Sequence, residues 1–181
     1  VVPLVLLIGI VSGRASGRGY GNAWVALRGD DGRVEIAAEC GIDEGFKLLR
    51  QAMARGDWPE CCQQAFAHPE SVAVIHAPNR NCKTCSLSDL HRDTAAMAGA
   101  LHYGEQDFGV LVVALPKALA GDKEEQALFR ELVDDLAYAL HAIALEEERK
   151  AAEGALRASE DRFRRAVNEA PFPAMIHAED G

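Results

Sequence analysis

Ala95–Leu115 reads AAMAGALHYGEQDFGVLVVAL, and this stretch decides the fold. Two apolar runs flank Gly104-Glu105-Gln106-Asp107, a turn-forming tetrad, and Pro116 stops the second run because it has no N–H for a strand ladder. An antiparallel hairpin is expected. Toward the N-terminus, Tyr20–Glu39 (YGNAWVALRGDDGRVEIAAE) repeats the pattern around Gly29-Asp30-Asp31-Gly32 and predicts another hairpin. Between the hairpins, DEGFKLLRQAMARGDW has helical spacing at Phe46, Leu49 and Met53, with Asp43 as N-cap and Gly56 at the C-terminal end. Pro59–Ala67 predicts a second short helix opened by its proline, and SVAVIH a short buried strand. Hairpins mixed with helices define an α+β domain with an antiparallel sheet, not a repeating βαβ array.

The chain has 181 residues, 49% hydrophobic and 26% charged, the balance of a folded globular protein. Its formal net charge of −9 comes with no basic stripe, which argues against direct nucleic-acid binding. Five cysteines, Cys40, Cys61, Cys62, Cys82 and Cys85, are an odd number for structural disulfides and are unevenly clustered, so a reducing cytoplasm is expected. The opening VVPLVLLIGIVSG is about half of the roughly 20 residues needed to span a bilayer. Residues 1–17 are read as a buried or fragmentary segment, a signal-peptide core or the tail of a membrane helix, and membrane attachment of a parent protein stays open.

After Gly121-Asp122 the character changes. About Asp122 to Val167 carries no proline and a single glycine, Gly154, which predicts one helix of some 45 residues, about 68 Å at 1.5 Å per residue. Phe129, Val133, Leu136, Leu140 and Ile143 form one seam. Leu145, Ala152, Leu156, Ser159 and Phe163 form a second, out of phase with the first. Only the first third can pack on so small a domain. The remainder predicts a parallel homodimer through Leu136, Leu140, Ile143, Leu145, Ala152, Leu156 and Phe163, or else a solvated helix held by pairs such as Glu146 with Lys150.

These residues resemble known modules. GYGNAWVALRGDDGRV, FGVLVVALP and EEQALFRELVDDLAYALHAI, in that order and spacing, are similar to a GAF domain over about Arg18 to Leu145. The span 18–145 is taken as that domain and 146–168 as a coiled-coil signalling helix continuous with its last helix. ALRASEDRFRRAVNEAPFPAMIHAEDG resembles the start of a PAS domain, through Ser159, Glu160, Arg162, Phe163, Arg164, Ala170, Pro171 and Gly181, so 169–181 is taken as its truncated beginning. The resemblance implies the sensory and transmitting portion of a two-component sensor histidine kinase. Downstream PAS and kinase domains would lie in the same chain, and the parent would act on a response regulator. The fragment itself is expected to be non-catalytic, since His141 lacks the acidic and proline neighbours of a phosphoacceptor box and no Gly-rich nucleotide loop is present.

Asn79–His91, NRNCKTCSLSDLH, carries the chemistry. Cys82 and Cys85 have a spacing that lets two thiolates face one ion. Cys61 and Cys62 stand at the start of a helix, whose dipole favours thiolates. The GAF resemblance implies a cysteine in this helix and a C-x-x-C in this loop. Cys61, Cys82 and Cys85 would hold zinc or an iron–sulfur cluster, with Cys62, His76, His91 or an external molecule as fourth ligand. A thiol–disulfide switch and three cysteines with no shared role are the alternatives. Ser86 after Cys85 disfavours c-type haem. Trp24, His102 and Tyr103 are candidates for a ligand pocket, with plain core positions as the alternative. The competing functional class is a cysteine-dependent reductase of the free methionine sulfoxide type.

Overall fold

The computed structural model describes residues 21–29, 31–42, 44–82 and 85–169. The expectations for residues 1–17, the Arg18-Gly19-Tyr20 lead, Asp43 as N-cap and the strand after Pro173 lie outside them. Strands β1 (Asn22–Arg28) and β2 (Val34–Cys40) form the first hairpin, followed by helices α1 (Glu44–Ala54) and α2 (Glu60–Ala67). Strand β3 (Ala73–Ile75) and the one-turn helix α3 (Pro78–Asn81) precede the second hairpin, β4 (Thr94–Tyr103) with β5 (Gln106–Pro116). Helix α4 (Lys123–Glu169) ends the described chain. Sequence reading placed every one of these elements except α3, which is too short to show a period.

The sheet is antiparallel in the order β2-β1-β5-β4-β3. Each hairpin turns where glycine allows it: Gly32 has φ +78° and Gly104 φ +64°. Alternation along the strands then sorts side chains onto two faces. Trp24, Ala26, Ala96, Ala98, Ala100, Val110 and Val112 point to one, where they meet Phe46, Leu49 and Met53 of α1 together with Cys61, Cys62 and Ala65 of α2. The small residues Ala96, Ala98 and Ala100 leave room for α2 to lie close on β4. Ala23, Val25, Met97, Leu101, Leu111, Val113 and Leu115 point to the other face and meet Phe129, Val133, Leu136 and Ala137 of α4.

The chain divides within α4, between His141 and Ala142, into two compact units. In the first, Leu136 is 7% exposed in the sheet-facing core and Leu140 packs against it. Those two positions are therefore corrected from dimer seam to domain core. His141 is a half-buried helix residue, as expected, but it is held by the hairpin tip: its Nδ1–H donates to Gln106 Oε1 (2.9 Å) and its ring lies against Tyr103. In the second unit, Leu145, Leu156, Phe163 and Val167 are exposed, and Glu146 bonds Arg149 (2.8 Å) and pairs with Lys150 (3.3 Å). Among the described residues no helix is long and apolar enough to cross a membrane.

Candidate functional site: a thiol-lined cavity

Two chain segments bring thiols together on the α1/α2 face. Pro59 opens α2 and sets Cys61 and Cys62 in its first turn. Cys82 follows α3, and Cys85 is tied to it by a turn in which Cys85 N–H donates to Cys82 O (3.0 Å). Beyond Cys85, the Ser86 hydroxyl donates to Gly45 O (3.1 Å) and pins the loop on α1. His91 then turns inward under β1.

The product is a narrow apolar cavity of about 20 Å³, room for about one water, lined by Trp24, Cys61, Cys82, Cys85, Leu87 and His91 among others. The Sγ atoms of Cys61 and Cys62 are 3.9 Å apart, and Cys82 lines the same cavity as Cys61. Exposure rises along the row. Cys62, Cys82 and Cys61 are buried at 0%, 3% and 6%, and Cys85 is only half-buried. All five cysteines are free thiols.

The Cys61, Cys82 and Cys85 thiols are all shifted upward, against the direction expected from the helix dipole at Cys61. The bond with Cys62 and burial push the Cys61 thiol well above its ordinary value of 9.0, partly offset by Cys82. Cys82 is pushed up by its bond to Cys61 and by burial. Cys85 is raised by burial, with the Leu87 backbone acting against it. At Cys61 the neighbouring thiol and burial together act against the partial charge of a two-turn helix. Burial lowers the pKa of His91, and its Nε2–H donates to Asn22 Oδ1 (3.2 Å).

These shifts define a pH window with opposite signs at its two ends. A thiol raised on folding stabilises the fold below the ordinary value of 9.0, and that contribution is lost as pH rises toward the folded value. A histidine lowered on folding stabilises above 6.5, and its contribution is lost as pH falls through the folded value. Unfolding free energy is therefore expected to be flat from about pH 6.5 to about pH 9 and to fall on both sides, by at most about 1.4 kcal/mol per pH unit per group. Urea titrations across pH 5–10 check it, and a curve still rising above pH 9 would contradict the buried neutral thiols.

The sequence candidates are thus partly united. Cys61, Cys82, Cys85 and His91 line the one cavity, and Cys62 sits directly behind Cys61. His76 is exposed and stands apart from it. Trp24 lines the thiol cavity, 3% exposed and packed on Phe46 (centroids 6.0 Å apart). His102 and Tyr103 instead line a separate open groove of about 550 Å³ with Arg130, Asp134 and Tyr138, so the three do not form one ligand pocket. There, His102 Nδ1–H donates to Asp107 Oδ1 (2.6 Å), and Arg130 donates to Pro69 O and bonds Asp134 (2.9 Å). Asn22, the partner of His91, was missed. Nothing in the local sequence links residues 69 positions apart.

Among the described residues no three His, Cys, Asp or Glu side chains are set to hold a metal ion.

No family model and no curated protein sequence matches the chain. Solved structures do. A GAF domain/HD domain protein from Geobacter sulfurreducens superposes with a TM-score of 0.57 at 15% identity, covering 78% of this chain and 92% of that one. The GAF domain of the cyanobacteriochrome TePixJ superposes with a TM-score of 0.51 at 13% identity, covering 77% and 88%. The five-stranded sheet with its flanking helices therefore has the GAF fold.

Proposed function

We propose that this GAF fold is a sensory input module whose stimulus is the redox state of the thiol-lined cavity, and that α4 transmits the response as a parallel homodimer. The observation that carries the reading is the convergence of Cys61, Cys82, Cys85 and His91, from separate segments, on one small cavity. Its floor is shared with the helix-facing core. Ala96 and Val112 line the cavity, and the next residues along the same strands, Met97 and Val113, lie in the cluster with Phe129 and Val133 of α4. A chemical change that shifts β4 or β5 is felt on both faces, because a close-packed interior passes strain on.

The resemblance of 155–181 to the start of a PAS domain supports reading the module as part of a two-component sensor histidine kinase, upstream of PAS and kinase domains that act on a response regulator. The exposed residues Leu145, Leu156 and Phe163, on a seven-residue repeat with Ala152, form the seam along which two copies pair. A photo-crosslinking residue at Leu145, Leu156 or Phe163 is expected to join two chains, with yields that differ between reduced and oxidised protein. Yields identical in both states would overturn the reading. Leu156→Glu combined with Phe163→Glu is expected to weaken dimerisation by about a hundredfold or more, since each apolar side chain contributes roughly 1.5–3 kcal/mol on burial. Sedimentation equilibrium measures this.

A further inference from the structure

We propose that Cys85 is a modification site for low-molecular-weight disulfides, and that it hands the oxidation inward through Cys82 to a buried Cys61–Cys82 disulfide. The inference deepens the redox reading above and rests on the thiol part of it. It stands on three observations. Exposure falls from Cys85 to the two inner sulfurs, so a bulky reagent reaches Cys85 first. The turn joining Cys82 O to Cys85 N–H keeps that pair together. Cys82 and Cys61 are both buried and line the same small cavity.

Each step is a thiol–disulfide exchange. Cys85 sulfur attacks a disulfide RSSR, forming Cys85–S–SR and releasing one RSH, which carries away the Cys85 proton. Cys82 sulfur then attacks Cys85 sulfur, forming Cys82–Cys85 and releasing the second RSH. Finally Cys61 sulfur attacks Cys82 sulfur, Cys61–Cys82 forms, and Cys85 leaves as a thiol with the Cys61 proton. In total Cys61 and Cys82 lose two electrons and two protons, and RSSR becomes two RSH. Cys85 is regenerated and acts as a shuttle. The product ties the first turn of α2 to the segment after α3, directly against the cavity.

The test treats the 181-residue chain, carrying Cys40→Ala to remove the other half-buried thiol, with oxidised glutathione and maps disulfides by peptide mass spectrometry. The expected end product is Cys61–Cys82 with Cys85 free. Cys85→Ala should reach the same product at least tenfold more slowly, and Cys61→Ala should stop at Cys82–Cys85. A Cys85→Ala chain that oxidises at the parent rate, or a Cys61–Cys82 link that never forms while Cys85 stays glutathionylated, overturns the proposal. Folding of each variant is checked by circular dichroism, and Cys85→Ser repeats the rate measurement where alanine disturbs the loop. If Cys61–Cys82 forms but the α4 crosslinks do not change, the sensory reading fails while this chemistry stands.

Discussion

A Gly109→Ala chain is expected to accumulate unfolded or insoluble. Gly109 lies in β5 opposite Leu27, with φ +148°, a conformation that side-chain-bearing residues rarely adopt. A Cβ there would stand 2.0 Å from Ala26 O and 2.8 Å from Leu27 Cα. Both atoms are backbone of the paired strand, so relief requires β1 and β5 to separate in the middle of the sheet. Backbone strain and the broken ladder together exceed about 4 kcal/mol, against a total stability of about 5–15 kcal/mol for a domain. Gly99→Ala is the control. Its Cβ would meet Val133 Cγ2 at 2.6 Å, a side-chain atom that can move, so the cost should stay at about 1–3 kcal/mol. Urea denaturation of the two variants side by side decides the matter. A Gly109→Ala protein within about 1 kcal/mol of the parent would refute the strand geometry described above.

Trp24→Ala carries the second large effect, because Trp24 belongs to both the core and the site. It is 3% exposed, packs on Phe46 and forms part of the wall around Cys61 and Cys82. Removing the indole should cost about 3–5 kcal/mol, from lost burial plus the cavity left behind. It should also enlarge the thiol cavity and admit reagent. Maleimide labelling of Cys61 and Cys82 in the folded variant is expected to become at least tenfold faster than in the parent, while Cys40 on β2 is labelled at an unchanged rate. A loss of stability with no gain in labelling would show that Trp24 supports the sheet without closing the site.

What the sequence made legible was whatever is decided within a few residues. Gly29-Asp30-Asp31-Gly32 and Gly104-Glu105 mark the hairpins because turns depend on residues that tolerate positive φ. Phe46, Leu49 and Met53 mark α1 because a buried helix face repeats at three and four. Cys82 and Cys85 could be paired by eye for the same local reason. The convergence of Cys61 and Cys82 on one cavity and the bond from His91 to Asn22 depend on how β1, α2 and the loop after α3 meet, which no window of sequence holds. The grouping of Trp24 with His102 and Tyr103 failed through strand parity. Trp24 shares a face with Ala98 and Val112, while the shift in β4 between Leu101 and His102 and the nearby hairpin tip place His102 and Tyr103 in another groove. The upward shift of the Cys61 thiol was not legible either, because a helix dipole is visible in sequence while burial and the packing of one thiol on another are not.

The margins of the sheet bear on how copies of this protein can meet. One margin is β3, three residues long, which offers an incoming strand almost nothing to pair with. The other is β2, where Glu35 is exposed, the pairing with β1 is irregular at Leu27/Arg28, and Glu39 is engaged by Ile42 N–H (2.9 Å). Short, charged or irregular borders discourage the edge-to-edge growth that leads to fibrils. Open-ended addition of strands from copy to copy is thereby disfavoured at both margins.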